Sequence, residues 1–559
     1  MDRTFSLQKR LVFLILFESA HVAPGLFSRS EAAGPPPGPA TLRLMTFNAW
    51  ENGTRVNDGY GKTLSAIADS EADIVGMQET GGWLATALAL DLGWFAYQGP
   101  GSVAVLSRFP ISELLPLTSD DAGLGARIRV NSDPVQDVIV YVCHLSPYPY
   151  GPYSACLEGL NASQVLNDEP QSGRVQQMSN ILNQMGSFLT NADSVPVFLM
   201  GDFNSPSHID WTAAASPLHC GYAIDWPVTR HVETAGMVDS YRESHPDPLA
   251  DPGNTWSPIY ETFTHPGGQL EPLDRIDMVH SAGAGVITVA SEVFLVEPIA
   301  QFPNHENNEW PSDHAAVVSE FNVVLGGGED LPLPALTLDE PTYSSGEPII
   351  ATFADGPGNA TDWIGIYRAE DIPGAPSIQA WAWFYTNNTR TAQGHFGPDQ
   401  GEVLFDGSSG PVWPLPKGSY KAYFFCCDGY TVLAEPVAFK VFGGGGEPPA
   451  LPTLALDKAT YASGEPIAAA FANGPGNATD WIGIYRATDT PGAQPSQTWY
   501  YTNNRHTANR PSGPTQGEVL FGDRSGPVWP LPEGDYRAYF LCCDGYAILA
   551  GPIALNIVP

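Results

Sequence analysis

The chain has 559 residues, of which 43% are hydrophobic, so it exceeds one ordinary domain and can form several packed cores. Its formal net charge is −36 at pH 7, and residues 41–325 contain a single lysine, Lys62. This balance excludes a long basic footprint for nucleic acid, and it disfavours a polyanionic polymer as substrate without excluding one.

Residues 1–40 predict a secretory signal followed by a flexible lead-in. Arg3, Lys9 and Arg10 precede an apolar run at 11–17, and small and polar residues follow it. That order is typical of a secretory signal, and the run is too short to span a membrane. No other stretch of the sequence predicts a transmembrane segment. We therefore expect a secreted, soluble protein that is a monomer.

Between residues 41 and 325, apolar runs with the pattern of strands alternate with segments of helical pattern. The predicted strands are 42–47, 73–77, 102–107, 137–143, 195–200, 278–280, 286–296 and 315–324. The predicted helices are 61–70, 83–90 and 173–189. Strands with interleaved helices predict an α/β layered core for this block.

Polar side chains stand at the ends or starts of these strands. They are Asn48, Glu79, His144, Asp202, Asn204, Asp277, Asp313 and His314. Taken singly, each has a structural explanation, such as a cap, a turn or a buried histidine. Their repetition along one block favours a shared site, because ligands gather outside the carboxyl ends of strands in layered α/β folds.

The strand at 195–200 is followed by a glycine and then by Asp202 and Asn204. Their spacing of two residues leaves a carboxylate and an amide facing the same way. A carboxylate for a cation or a proton, beside an amide that can hold a phosphoryl oxygen, suits metal-assisted phosphoester chemistry. The alternative for this short motif is a simple turn after a strand.

The ordered set of motifs in this block resembles the endonuclease/exonuclease/phosphatase superfamily, whose members include deoxyribonucleases, abasic-site endonucleases, sphingomyelinases and inositol phosphatases. The motifs are Asn48, Gln78-Glu79, His144-Leu145, 201–204, 275–277 and 312–314, and 104–111 is similar to a strand-turn-strand segment of that family. The resemblance covers residues 41–325. It implies a four-layer α/β sandwich of two mostly antiparallel sheets, packed face to face with helices outside.

The resemblance also implies the ligands of a metal ion and the general base. Glu79, with Asn48 and Asp313, would hold Mg²⁺, and Mn²⁺ or Ca²⁺ is the alternative, since carboxylate and amide oxygens suit a hard ion. His314, oriented by Asp313 or another acid, would activate water by taking its proton. The pKa of histidine near neutrality suits that role.

Four further residues take roles from the same resemblance. His144 would donate to a phosphoryl oxygen, and Asn204 would fix the orientation of the phosphate. Asp202 would position the nucleophile or assist the leaving group. Asp277 would orient the histidine of the site or bind metal.

Other features of the block have two interpretations. Arg127 and Arg275 could contact phosphate, but salt bridges are the expected role of each. The loop at 146–156 is rich in tyrosine and proline and could form a rigid wall of the active-site mouth; a structural loop held by Cys156 is the alternative. In an exported chain we expect a Cys156–Cys220 disulfide.

The remaining cysteines are a buried, free thiol and two adjacent pairs. Cys143 lies on a predicted strand, and Cys426-Cys427 and Cys542-Cys543 are each followed by Asp-Gly. Adjacent cysteines on a regular strand point to opposite faces, so a disulfide between them requires the backbone to leave strand geometry. Reduced, buried thiols are the alternative.

Two flexible linkers, 326–332 and 443–450, precede two internal repeats, 333–442 and 451–559. The sequence of 358–368 recurs identically in the second repeat, at 476–486. Short alternating runs rich in Tyr, Trp and Val predict a small antiparallel β-sandwich for each repeat. We expect modules that bind carbohydrate, a lipid surface or protein, or that act as spacers, because neither repeat gathers acids, bases and nucleophiles.

The sequence thus predicts a secreted, divalent-metal-dependent phosphoesterase whose substrate is a phosphodiester of a small molecule or a lipid headgroup. Attack by an activated water is the expected reaction. The alternatives are an extracellular nuclease acting on DNA or RNA, and a phosphomonoesterase that scavenges phosphate. A non-catalytic binding or adhesion protein is the alternative from another class.

Overall fold

The computed structural model describes residues 40–263, 268–324, 327–375, 378–407, 409, 412–443, 452–474, 476–489, 491, 494–507, 513–522, 528–542 and 547–559. The predicted signal and lead-in, apart from residue 40, and most of the second linker lie outside the described residues. None of the helices within the described ranges is long and apolar enough to cross a membrane.

Twelve strands are described between residues 40 and 323. They are β1 (Ala40–Asn48), β2 (Ile74–Gln78), β3 (Phe95–Gln98), β4 (Ala104–Ser107), β5 (Ile111–Leu115), β6 (Gly123–Ser132), β7 (Val135–His144), β8 (Val197–Asp202), β9 (Val238–Asp239), β10 (Asp277–Ala282), β11 (Val286–Phe294) and β12 (Ala316–Val323). One sheet has the order β11-β12-β1-β2-β4-β3, and the other has the order β5-β6-β7-β8-β10-β9. The pairs β1–β2 and β7–β8 are parallel, and the other pairs are antiparallel.

The α-helices of this block lie between the strands along the chain. They are α1 (Trp50–Gly53), α2 (Gly59–Asp69), α3 (Leu84–Leu92), α4 (Gly151–Cys156), α5 (Ala162–Asp168), α6 (Arg174–Thr190), α7 (Pro227–Thr234) and α8 (Ser240–Ser244). Short 3-10 turns occur at Glu169–Ser172, Ser216–Leu218 and His305–Asn307.

The two sheets pack face to face around a shared hydrophobic core. Leu44 and Ile74 of one sheet and Val140, Phe198 and Met200 of the other belong to the same buried cluster. Because side chains alternate along a strand, the next residues of β1 and β7 point to the outer faces. This arrangement supplies the two inner layers of the sandwich.

Helices cover the outer face of each sheet. Met45 of β1 packs with Ile67 of α2 and Leu84 of α3, and Tyr141 of β7 packs with Ile181 of α6. The predicted four-layer α/β sandwich of mostly antiparallel sheets is therefore confirmed.

Both repeats are made of strands that form two sheets. The first contains β13 (Ala335–Leu338), β14 (Thr342–Ser344), β15 (Ile349–Ala354), β16 (Trp363–Arg368), β17 (Ala382–Tyr385), β18 (Gly401–Phe405), β19 (Gly418–Cys426), β20 (Thr431–Val432) and β21 (Val437–Phe442). The second contains β22 (Thr453–Leu456), β23 (Thr460–Ala462), β24 (Ile467–Ala472), β25 (Trp481–Arg486), β26 (Thr498–Tyr501), β27 (Gly517–Phe521), β28 (Gly534–Cys542) and β29 (Ala547–Val558).

The sheets of the repeats follow one plan. A three-stranded sheet, β13-β15-β18 or β22-β24-β27, accompanies a larger one that contains β21-β19-β16-β17 or β29-β28-β25-β26. Each repeat has its own hydrophobic cluster drawn from both of its sheets. The predicted all-β, sandwich-like repeats are confirmed, whereas the boundaries set by the linkers stay a prediction.

The cysteines follow the sequence expectations where the structure describes them. Cys156 and Cys220 form the predicted disulfide, and Cys143 is buried and free. Cys426 and Cys427 are also bonded to each other. Cys427 has a φ of +64°, so the backbone leaves strand geometry there, as such a bond requires. Cys543 lies outside the described residues.

Candidate active site

The register of the strands brings the predicted site residues to one end of the two sheets. In the parallel pair β7–β8, His144 lies beside Asp202, and in the antiparallel pair β8–β10, Asp202 lies beside Asp277. Asn48 ends β1 beside Gln78, so Glu79 follows directly after the neighbouring strand. The strand ends of the two sheets that carry these residues lie close together because the sheets pack face to face.

Gly201 makes the approach of two of these strands possible. A Cβ atom at this position would lie 2.1 Å from the carbonyl oxygen of Cys143, and the φ of Gly201 is +152°. Any larger residue would push β8 away from β7, and Asp202 would move with it. The glycine of the Gly-Asp-x-Asn motif therefore sets the position of the carboxylate that follows it.

Asn48 connects carboxylates from the two sheets. Its Nδ2 donates to Glu79 Oε1 at 3.3 Å and to Asp202 Oδ2 at 3.1 Å, and its Oδ1 accepts from the backbone N–H of Trp50 at 3.0 Å. The side chain is fully buried. Asn48 thus holds the acids of the site together through its amide nitrogen, and its predicted role as a metal ligand stays a prediction.

Asp202 also faces both histidines of the site. Its Oδ2 lies 3.6 Å from His144 Nε2 and 3.8 Å from His314 Nε2. The His144 side chain is 16% exposed and that of Asp202 only 1%, so His144 lies closer to solvent. The imidazole of His144 therefore lies on the solvent side of the site, and the carboxylate of Asp202 lies beneath it.

His314 is oriented by Asp277. Its Nδ1 lies 2.9 Å from Asp277 Oδ2, and its main-chain N–H donates to Ser312 Oγ. No hydrogen bond between the side chains of Asp313 and His314 occurs within the described chain. Of the orienting acids that the sequence left open, the geometry therefore favours Asp277.

The electrostatics of the site reflect buried acids around one imidazole. Burial opposes the charged form of His314, but the carboxylates of Asp277 and Asp202 outweigh burial and raise its pKa to about 10. Burial, together with the charge of Glu79, raises the pKa of Asp313 to about 7. Burial likewise raises the pKa of Asp202. The carboxylates therefore favour the charged form of His314, whereas burial favours the neutral forms of Asp202 and Asp313.

The donor set fits a divalent cation. Ligand atoms of Asp202, Asp277 and His314 lie within 4.8 Å of one another. Asp277 Oδ1 is buried and has no hydrogen-bond partner among the described residues, which leaves one oxygen free to bind. Oxygen and imidazole donors of this kind suit Mg²⁺, Mn²⁺ or Zn²⁺. These three residues differ from the predicted metal ligands Asn48, Glu79 and Asp313.

Asn204 contacts the loop after β7 and the carboxylate of Asp202. Its Nδ2 donates to the carbonyl oxygen of Leu145 at 2.9 Å, and its N–H donates to Asp202 Oδ1 at 2.8 Å. In this arrangement Asn204 fixes the loop after β7 and the carboxylate of Asp202. Its contact with phosphate stays a prediction.

The arginines confirm the expected salt bridges. Arg275 is buried and pairs with Asp210 and Asp239, and Arg127 pairs with Glu113 and Asp137. Histidines outside the predicted site take surface or packing positions where the structure describes them: His231 is exposed on α7, whereas the rings of His280 and Phe203 are neighbours, with centroids 5.3 Å apart. His265 lies outside the described residues.

Trp256 is a neighbour of the site that sequence reasoning missed. Its ring centroid lies 4.9 Å from that of His314, and its Nε1 donates to Glu271 Oε1 at 2.8 Å. Tyr153 from the loop at 146–156 donates to the same oxygen at 2.6 Å. The loop is therefore linked to the side chain that packs on His314, while its role in substrate choice stays a prediction.

Ser102 is a second residue that sequence reasoning missed. Its hydroxyl contacts both His144 Nδ1 and the N–H of Glu79. A lone serine at the start of a predicted strand carries no motif, so no sequence signal could have distinguished it.

The fold and the site together define the class of protein as a metal-dependent phosphoric ester hydrolase.

Comparison with known proteins identifies the family. The model of the Endonuclease/Exonuclease/phosphatase family matches residues 45–314. Uncharacterized protein F14F9.5 of Caenorhabditis elegans is 32% identical over 298 residues, which are 51% of this chain and 92% of that protein. The chain belongs to the endonuclease/exonuclease/phosphatase family.

Solved structures also match the chain over half of its length. Truncated TDP2 of Caenorhabditis elegans is 15% identical, with a TM-score of 0.33, over 51% of this chain and 98% of that one. An AP endonuclease from Archaeoglobus fulgidus is 15% identical, with a TM-score of 0.33, over 50% and 98%. A 3'-5' exonuclease from Neisseria meningitidis is 20% identical, with a TM-score of 0.33, over 50% and 100%.

Proposed function

We propose that this protein is a secreted phosphodiesterase that hydrolyses a diester of a small molecule or a lipid headgroup, with Mg²⁺ as its metal. The observation that carries the proposal is the position of Asp202. Its Oδ2 lies within 3.8 Å of imidazole nitrogens of both His144 and His314 and accepts from Asn48. Export is supported by the predicted signal and by the Cys156–Cys220 disulfide.

The residues of the chain divide the work around a bound phosphate. The cation, to which Asp202 and Asp277 and the predicted ligand Glu79 offer carboxylate oxygens, would supply positive charge to the phosphoryl oxygens, while His314 stays unligated to act as the base. His144 Nε2 donates to a phosphoryl oxygen from the more exposed side of the site. Asn48 holds the carboxylates of Glu79 and Asp202 in a fixed relative position, so the groups are arranged before the substrate binds.

His314 is the base in this proposal, and Asp277 holds its ring. A histidine with a pKa of about 10 is protonated at neutral pH and cannot take a proton from water. Positive charge beside Asp202 and Asp277 lowers that pKa toward neutrality, because it offsets the carboxylates that raise it. The base is therefore competent when the carboxylates are neutralised.

Charge distribution supports a small or headgroup diester over nucleic acid. Arg275 and Arg127 are engaged by buried or half-buried acids, so they offer no contacts to a long polyanion. The exposed Arg55 pairs with Glu51. Trp256 lies beside His314, and the half-buried Tyr260 lies against Trp256 with ring centroids 5.5 Å apart, so the two rings offer apolar surface to a leaving group.

A substrate panel tests the proposal. Purified protein is assayed with bis(p-nitrophenyl) phosphate, p-nitrophenyl phosphate, sphingomyelin vesicles and plasmid DNA, each with Mg²⁺, Mn²⁺ or Ca²⁺ and each with EDTA. We expect turnover of the diesters that EDTA abolishes. Preferential cleavage of DNA would favour the nuclease, cleavage of the monoester would favour a phosphatase, and inactivity on every substrate would favour a binding protein.

Substitution of the base provides the matched test of the site. His314→Ala should lower turnover by at least about a hundredfold, as expected for the loss of a general base. His231→Ala is the control, because His231 is exposed and lies on α7. Turnover by His314→Ala near that of the control would remove His314 from the reaction.

A further inference from the structure

The hydroxyl of Ser102 lies between two of the residues on which the proposed reaction depends. Its Oγ accepts the backbone N–H of Glu79 at 3.1 Å and contacts His144 Nδ1. Ser102 is half-buried and precedes β4, whereas Glu79 follows β2 and His144 ends β7. One side chain therefore joins parts of both sheets at the site.

The contact with Ser102 holds the ring of His144. A serine oxygen has two lone pairs and one hydrogen, so it accepts from the N–H of Glu79 and also bonds to His144 Nδ1. This contact fixes the ring so that Nε2 faces Asp202 Oδ2, 3.6 Å away, where the proposed function places a phosphoryl oxygen.

The backbone of Glu79 needs such support. Its φ is +58°, a left-handed conformation that residues with a Cβ rarely adopt. Its N–H is held by Ser102, and its carbonyl oxygen accepts from the N–H of Asn52 at 2.9 Å. These two bonds fix the peptide groups on either side of the residue and so aim its carboxylate at the site.

Ser102 is itself held by a buried hydrogen-bond network. Thr80 donates from its N–H and its hydroxyl to the carbonyl oxygen of Ser102, at 3.1 and 3.2 Å. Gln98 Nε2 donates to Thr80 Oγ1 at 2.7 Å and to the carbonyl oxygen of Gly99 at 2.8 Å. Thr80 and Gln98 are buried, so water does not replace these bonds.

The first repeat completes this network. Thr431 of β20 forms two hydrogen bonds with the backbone of Gln98: its hydroxyl accepts from the N–H of Gln98 and donates to the carbonyl oxygen of Gln98, both at 3.0 Å. The adjacent Tyr430 carbonyl oxygen accepts from Thr86 Oγ1 at 2.8 Å. β3 is an edge strand, so the repeat satisfies backbone groups that the sheet leaves open.

We propose that Ser102 is a positioning residue that sets Glu79 and His144 in their working geometry, and that Thr431 of the first repeat holds the loop of Ser102 in place through Gln98. The inference rests on the proposed function, and it gives the first repeat a role in the active site. Both residues act through other side chains in this proposal and not by contact with the substrate.

Two variants of Ser102 test the first part. In Ser102→Ala we expect kcat on bis(p-nitrophenyl) phosphate and Mn²⁺ affinity by titration calorimetry each to fall about tenfold, the low end for the loss of a supporting partner of a metal ligand. KM and the melting temperature should change little. Ser102→Thr keeps the hydroxyl and should restore most of the kcat and the Mn²⁺ affinity.

The outcomes separate this inference from the proposed function. Wild-type kcat and Mn²⁺ affinity in Ser102→Ala would overturn it, and so would a Ser102→Thr variant as impaired as Ser102→Ala. If the wild-type protein hydrolyses no substrate, the proposed function fails. In that case an Mn²⁺ affinity that Ser102→Ala loses and Ser102→Thr regains still supports the positioning role, and an unchanged affinity refutes it.

Variants at two threonines of the first repeat test the second part of the proposal. Thr431→Val keeps the shape of the side chain but removes both hydrogen bonds to Gln98, so we expect kcat to fall about threefold. Thr352→Val, on the exposed face of β15 in the same repeat, is the matched control and should leave kcat unchanged. Equal kcat values for the two variants would show that the repeat does not support the site.

Discussion

Arg275 directly follows Asp274 and lies two residues before Asp277, and its sequence position permits either a phosphate contact or a salt bridge. In the structure its guanidinium is fully buried and makes four hydrogen bonds to Asp210 and Asp239, at 2.7–3.1 Å. Burial would lower its pKa, but the two carboxylates raise it above the ordinary value. The geometry therefore predicts a structural role.

Arg275→Met tests that role and allows an estimate of its size. The variant leaves Asp210 and Asp239 buried, with Arg242 remaining beside Asp210. Breaking a buried pair from one side costs about 3–5 kcal/mol, because it leaves an uncompensated charge. At about 2–4 °C per kcal/mol for a domain of this size, the melting temperature should fall by roughly 6–20 °C.

The assay combines thermal unfolding with steady-state kinetics at a temperature at which the variant is folded. Arg230→Met is the control, because Arg230 forms exposed pairs with Asp225 and Glu233, which contribute at most about 1 kcal/mol. We expect a large loss of stability and an unchanged KM for Arg275→Met. An unchanged melting temperature with KM raised about tenfold would instead show that Arg275 binds the substrate.

Three further predictions follow from the same structure. Asp277→Asn should lower kcat by about 10³- to 10⁴-fold with KM nearly unchanged, because an amide at 2.9 Å from Nδ1 can hold the wrong tautomer of His314; kcat within about tenfold of the wild-type value would contradict this role. Burial raises the pKa of Asp274 to about 7, so the folded protein binds more protons than the unfolded chain between about pH 4 and 7, and stability falls as pH rises through that range. The free energy of unfolding of Asp274→Asn, measured in urea relative to that of the wild-type protein, should therefore be about 2–3 kcal/mol more favourable to the folded state at pH 8 than at pH 5. The same difference between variant and wild type at both pH values would refute the raised pKa of Asp274. Cys156→Ser opens a disulfide that spans 64 residues, so urea unfolding should show a free energy of unfolding about 4 kcal/mol below that of the oxidised wild-type protein. The reduced wild-type protein is the control and should match the variant.

The parts of the site that sequence reasoning predicted are those that follow from strand pairing. Asn48, His144 and Asp202 each follow an apolar run, and the ends of neighbouring paired strands meet by geometry alone. Asp277 begins a strand whose antiparallel register brings it to the same edge. The pattern of apolar runs that end in polar residues was therefore sufficient to predict the location of the site.

The hydrogen-bond partners within the site were beyond that reasoning. Asp277 rather than Asp313 holds His314, although Asp313 is its neighbour in sequence. The choice depends on how the two sheets pack, because Asp277 begins β10 of one sheet and His314 precedes β12 of the other. The contact of Thr431 with Gln98 joins residues 333 positions apart, and no local pattern reports such a distance.

Two groups of buried acids in this domain differ in the side chains that they face. Asp210 and Asp239 are buried and are paired with Arg275, so their charge is balanced within the fold. Asp202 and Asp277, a short distance along the same sheet, face histidines and an amide instead. A buried carboxylate without an arginine is costly to the fold, and burial raises the pKa of Asp202 accordingly. Carboxylates that face titratable imidazoles rather than a permanently charged arginine distinguish the reaction centre from the salt bridge beside it.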